Sequence, residues 1–199
     1  MKIAVLKETA QGERRVAATP ETIKKFIALG AEIAVERGAG ASASIADADF
    51  EAAGAMLGTR ADVLQGADAV LAVQGPAPGE LGGIKPGAMV VAALNPFGER
   101  ERVDAYAAAG VEALAMEFMP RITRAQSMDI LSSQANLAGY KAVLDAATEY
   151  GRAFPMMMTA AGTVAAARVF IMGVGVAGLQ AIATAKRQGG VVFSTPAPL

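Results

Sequence analysis

Arg168-Val169-Phe170-Ile171-Met172 runs into Gly173-Val174-Gly175-Val176-Ala177-Gly178, and an apolar periodic pattern follows from Leu179 to Gln188. The first stretch reads as a buried strand and the last as a helix, so the glycines sit on a strand-to-helix turn. Each glycine has a physical task there. Gly173 permits the tight turn, Gly175 lets the backbone approach a pyrophosphate, and Gly178 lets the helix close on the strand. Val176 and Ala177 lie between the last two glycines, at a helix N-terminus whose free N–H groups and positive dipole end attract an anion. In this setting the motif favours dinucleotide binding over a chance glycine turn.

Downstream, Gly190-Val191-Val192-Phe193-Ser194 reads as the second strand of the same unit. A dinucleotide-binding unit of this kind delivers an Asp or Glu to the adenosine ribose about 20 residues beyond the glycines. Thr195-Pro196-Ala197-Pro198-Leu199 stands there instead, without an acid. The expectation is a unit of about two strands, lacking the further strands that would enclose a cofactor.

Upstream, Ile130, Leu131, Leu137, Tyr140, Val143 and Leu144 suit one long helix, in which Gly139 is merely tolerated. Met156-Met157-Met158 reads as core filler at the start of the second domain. Residues 1–120 alternate short apolar strands with helical patterns. Ile3 to Leu6 is a strand, and Thr19-Pro20-Glu21 is an N-cap with proline in the first helical position. Gly30 sits where a C-cap glycine belongs. A strand at Ile33 to Val35, a helix around Asp49 to Met56, and strands at Ala69 to Val73 and Met89 to Leu94 follow. A helix at Glu99 to Ala109 and a strand at Val111 to Ala115 complete the series. This alternation predicts an α/β chain of two Rossmann-like parallel-sheet units, residues 1–120 and 121–199, joined by the long helix, the second unit incomplete. The loops Lys7–Arg15, Gln74–Pro78 and Asn95–Gly98 then gather at the carboxyl edge of the first sheet, where ligands of such sheets bind.

Composition excludes several kinds of chemistry. The chain has no Cys and no His, which removes thiol nucleophiles, thiolate metal sites, the usual catalytic triads and the commonest general base. A net charge of −1 gives no basic footprint for nucleic acid. The mixed charges from Glu99 to Arg102 mark a solvated helix face. Val169 to Ala185 carries no charge, yet its glycines fit a buried strand and helix better than a membrane span. Charge at Lys2, Lys7 and Glu8 interrupts any signal-peptide core, so a cytoplasmic location is expected.

The block Arg121-Ile122-Thr123-Arg124-Ala125-Gln126-Ser127-Met128-Asp129-Ile130-Leu131-Ser132, with Met158-Thr159-Ala160-Ala161-Gly162-Thr163 and the glycine loop, resembles the NAD(H)-binding component of the proton-translocating NAD(P) transhydrogenases, a family related to alanine dehydrogenase. The resemblance runs from residue 1 to about residue 195 and implies a longer parent fold. Pro196 stands where that family carries its ribose-binding Asp, as a premature end or an altered reading frame would leave it. By position, Arg121, Gln126, Asp129 and Ser132 resemble the residues that hold the nicotinamide end of NAD. Judged without the family, the same residues read more simply as a helix cap and surface ions.

The resemblance also implies a homodimer that docks on a membrane proton channel and an NADP(H)-binding domain. Hydride transfer between two nicotinamides moves no proton to or from the substrate, so positioning does most of the work and no catalytic side chain is named. In the alanine dehydrogenase branch, Arg, Lys and His act on the substrate at the carboxyl edge of the first domain. Here Arg15 matches the Arg, but Gln74 falls at the Lys position and Asn95 at or near the His position. That argues against the dehydrogenase, and Arg15 alone can simply pair with Glu8 or Glu13. A non-catalytic remnant or a dimerising module remains the other class.

Overall fold

Alternate residues of Ile3-Ala4-Val5-Leu6 are buried on opposite faces of one sheet, which is why this run carries no polar residue. The computed structural model describes residues 1–196; of the sequence reading, Ala197 to Leu199 lie outside the described residues. Two compact units are present, Met1–Pro120 and Arg121–Leu199.

In the first unit β1 (Lys2–Val5), β2 (Glu32–Glu36), β3 (Met56–Gly58), β4 (Ala69–Gln74), β5 (Met89–Ala93) and β6 (Glu112–Ala115) form one sheet in the order β3-β2-β1-β4-β5-β6. Every pairing is parallel. Ile3, Val5, Ile33 and Val35 pack on one face with Ile23 of α1 (Pro20–Ala28) and Phe50 of α2 (Asp47–Ala52). Ala4, Leu6, Val70 and Val90 pack on the other with Val63 and Leu64 of α3 (Arg60–Leu64) and Tyr106 of α4 (Arg100–Ala108). Helices on both faces make the doubly wound arrangement, and the chain reverses direction between β1 and β4.

The local signals act as their chemistry dictates. The Thr19 hydroxyl caps α1 by accepting from the Thr22 N–H at 3.3 Å, and Gly30 follows the helix in the left-handed region at φ +85°. The helix expected to reach Met56 stops at Ala52, because Gly54 turns the chain at φ +97°. Met56 instead begins the short edge strand β3, and α3 follows it. Arg102 also departs from the solvated-face reading. Its guanidinium turns inward and donates to the Gly75 and Leu94 carbonyls at 2.9 and 3.0 Å.

Buried Tyr106 donates its hydroxyl to the Pro76 carbonyl, and burial pushes the phenol up to about 12. Tyr106→Phe keeps the ring packing and leaves that carbonyl unpaired. We expect a loss of about 1–2 kcal/mol in unfolding free energy, measured by urea titration.

The second unit contains α5 (Ile130–Glu149), the antiparallel hairpin β7 (Met157–Thr159) and β8 (Gly162–Val164), β9 (Arg168–Met172), α6 (Val176–Arg187) and β10 (Val191–Thr195). β9 and β10 pair in parallel. Val169, Ile171 and Val192 pack with Val143 of α5 and with Ala181 and Ala185 of α6. The opposite sheet face leaves Phe170, Met172 and Phe193 exposed. The three methionines 156–158 are not core filler. All are exposed, Met158 by 82 %, because the hairpin that begins there has no packed face of its own. Among the described residues, no helix is long and apolar enough to cross a membrane.

Candidate functional site

The turn after β9 is built by two glycines that no other residue can replace. Gly173 adopts φ +94°, and its N–H donates to the Thr195 carbonyl at 3.0 Å, which ties the turn to the end of β10. A Cβ on Gly178 would lie 2.0 Å from the Gly173 oxygen, so only glycine lets α6 start this close to the strand. Gly175 is different. It has an ordinary φ of −72°, and a Cβ there would meet nothing within 4 Å. The space over Gly175 is open.

No side chain caps the N-terminus of α6. The Leu179 N–H already bonds the Gly175 carbonyl at 2.8 Å, whereas the N–H groups at the start of a helix precede the first intrahelical bond. Lys186 and Arg187 in the last turn complement the opposite dipole end. The result is an uncapped positive helix end facing open space, which fits a pyrophosphate.

α5 supplies the facing wall. Asp129 caps it, accepting from the Ser132 N–H at 2.9 Å and from the Ser132 hydroxyl at 2.6 Å. The Ser132 hydroxyl, then its N–H, and more weakly the charge of Arg121 hold the Asp129 carboxyl below the usual carboxylate range. One turn further on, Asn136 donates to Gln180 of α6 at 3.1 Å. α5 approaches α6 most closely at Gly139, where a Cβ would lie 2.1 Å from the Ala177 carbonyl oxygen. Gly139 is therefore required for this packing, not merely tolerated.

Between these walls lies a cavity of about 530 Å³, lined by Arg121, Ser132, Gly173, Gly175, Val176, Ala177 and Gly178, with Leu131, Ala135 and Met172. Seven of the nine residues expected from sequence thus share one cavity. Gln126 and Asp129 do not line it. Gln126 is exposed on the 3-10 turn Thr123–Met128, and both oxygens of Asp129 are committed to Ser132. Leu131 and Ala135 were missed, although their i, i+4 spacing with Ser132 between them marks one helix face.

A second cavity, of about 540 Å³, opens in the first unit at the carboxyl ends of β1 and β4. Its backbone donors are already taken by the chain's own carboxylates. Glu8 accepts from the Val73 and Gln74 N–H groups at 2.6 and 3.2 Å, and Glu36 accepts from the Lys7 N–H at 2.9 Å. Beside it on the same edge, Glu117 accepts from the Leu94 N–H at 3.1 Å and from the Asn95 N–H. Desolvation raises the Glu8 carboxyl despite its two amide donors. Arg15 is held by Glu13, at 2.6 and 2.7 Å, and the Gln74 amide donates to the same carboxylate at 3.0 Å.

Arg15 pulls the Glu13 carboxyl down to about 2 from its ordinary 4.5. A depressed carboxyl contributes stability that is present above the unfolded value and lost as pH falls through the folded one. The stability difference between this chain and its Glu13→Gln variant should therefore be full near pH 7 and shrink between about pH 5 and about pH 2. Denaturant titrations at several pH values measure it.

Comparisons with known proteins agree with this site. The family model described as alanine dehydrogenase/PNT, N-terminal domain, matches residues 4–138, and the corresponding C-terminal domain matches residues 142–196. The first of the separately encoded portions of the NAD(P) transhydrogenase alpha subunit of Rhodospirillum rubrum is 57 % identical over 98 % of this chain and 52 % of its own length. The crystal structure of transhydrogenase from Sinorhizobium meliloti is 55 % identical with a TM-score of 0.93, covering 98 % of this chain and 58 % of that one. An L-alanine dehydrogenase structure is 25 % identical with a TM-score of 0.82, covering 96 % and 53 %. The chain spans about half the length of the curated relatives it matches.

Proposed function

This chain belongs to the alanine dehydrogenase/PNT family, and on that footing we propose that it is the NAD(H)-binding portion of a transhydrogenase that passes hydride between NAD(H) and NADP(H). The observation that carries the reading is the single cavity that joins α5 to the glycine loop. In it the uncapped N-terminus of α6, with open Gly175, holds the pyrophosphate. Arg121 and Ser132 on the opposite wall take the nicotinamide end, with Asp129 fixing the Ser132 hydroxyl. Gln126, exposed just before α5, is free to hydrogen-bond a carboxamide. The nicotinamide ring supplies the hydride chemistry, and these side chains orient it. The lack of His costs such a reaction nothing, because no substrate proton has to move.

The assembly that this reading implies is a homodimer on the cytoplasmic side of a membrane. It works with an NADP(H)-binding subunit or domain and a proton channel, so that hydride transfer is coupled to proton translocation. By itself the chain is expected to be inactive. Phe170, Met172 and Phe193 leave one face of its second sheet exposed, and a cofactor cleft with one wall bare is poorly preorganised.

Gly175→Val tests the site. Its side chain enters open space, so the fold and circular dichroism should not change, while the approach of a pyrophosphate is blocked. NADH saturation-transfer NMR signals should fall by about tenfold or more, the cost of losing a charged hydrogen bond or two. Unchanged NADH signals would remove the glycine loop from the binding site.

A further inference from the structure

We infer that the end of β10 leaves the ribose 2′ position unread, so that this chain does not distinguish NADH from NADPH. The inference rests on the dinucleotide reading above and concerns the residues that would choose between the two cofactors.

Thr195 is paired in register with Met172, and its carbonyl accepts from the Gly173 N–H at 3.0 Å. The end of β10 therefore lies directly beside the first glycine of the loop. In a unit of this topology, that is where the adenosine ribose of a loop-bound dinucleotide is read. Discrimination comes from charge. A carboxylate there accepts from the 2′-hydroxyl and repels a 2′-phosphate, whereas an arginine attracts the phosphate.

Neither charge is present at this strand end. Ser194, Thr195 and Pro196 are exposed and uncharged. The two hydroxyls can donate to a phosphate as readily as they exchange hydrogen bonds with a ribose hydroxyl. Pro196 carries no N–H and no ionisable group. The unit's cations lie elsewhere. Arg168 begins β9, at the far end of the strand pair, and stacks on Phe193 at 5.2 Å. Lys186 and Arg187 close the opposite end of α6. Arg121 lies on the α5 side of the cavity, where it meets either cofactor alike.

The test titrates this chain with NADH and with NADPH in parallel, at one ionic strength, by ligand-observed NMR. The expected result is a pair of dissociation constants within about threefold of each other. Pro196→Asp places a carboxylate at the strand end and should move the ratio toward NADH by about tenfold or more. A preference of about tenfold or more for either cofactor in the unsubstituted chain overturns the inference. So does a Pro196→Asp variant, folded by circular dichroism, whose ratio is unmoved. If neither cofactor gives a saturable signal up to about 10 mM, well beyond the weak end of specific binding, the dinucleotide reading itself falls, and the inference with it. If the variant does not fold, the ratio in the unsubstituted chain decides alone.

Discussion

Gly139→Ala destabilises the second unit by about 3 kcal/mol, near the upper end of what overpacking costs. In a solvent-facing helix the same change would add about 1 kcal/mol through helix propensity, so the sign of the effect is informative. The expected sign is set by distance. The new methyl would sit 2.1 Å from the Ala177 oxygen and 2.8 Å from its carbonyl carbon. Both are backbone atoms at the start of α6, and no rotamer change relieves them. α5 must move off α6, which uncovers Val143, Ala181 and Ala185. Hydrogen exchange should accelerate across α5 and α6 while amides of β1 and β4 keep their protection. A stabilised second unit would show that the two helices do not meet as described.

The second large effect is an absence of alanine chemistry. We expect no L-alanine-dependent reduction of NAD by this chain, and no binding of pyruvate at tens of millimolar, roughly the weak limit of specific recognition. A substrate carboxylate at the carboxyl edge of the first sheet needs a free cation or free backbone donors. Arg15 is already bidentate on Glu13, and Glu8 fills the Val73 and Gln74 donors. Gln74 is neutral, and Asn95 cannot act as a base. The binding arm separates this explanation from simple inactivity, because it does not depend on a cofactor. Saturable shifts at the Arg15, Gln74 and Gly75 amides on adding pyruvate would refute the explanation.

What the sequence makes legible is what local chemistry alone decides. Thr19, Pro20 and Gly30 delimit a helix by capping and by φ, and the strand–glycine–helix order of residues 168–188 needs no partner to be understood. The alternation of residues 1–120 leads to the doubly wound sheet for the same reason. The losses occur where a residue's role depends on something distant in sequence. Gly139 looks tolerable until Ala177 is placed against it. The methionines at 156–158 look like core until the hairpin proves to have nothing behind it. Arg102 looks solvated until the Gly75 and Leu94 carbonyls appear beside it. The carboxylates of Glu8, Glu36 and Glu117 read as ordinary surface charge, because only the sheet order brings them to the amides they cap.

The candidate site divides the same way. Its glycine half follows from the motif. Its α5 half comes from the family resemblance, and the helix-cap reading of Asp129 and Ser132 holds beside it, since Asp129 does cap α5 through Ser132.

The central claim is that the glycine loop and α5 together form a nicotinamide-dinucleotide site. Amide chemical-shift mapping of the isotopically labelled chain during an NADH titration tests it most directly. The account predicts weak, saturable binding, with a dissociation constant above about 0.1 mM because one wall of the cleft is bare. The shifts should be concentrated at Gly173 to Gly178, Arg121 and Ser132. Shifts confined to the cavity between β1 and β4, or none at the glycine loop at saturating NADH, would contradict it.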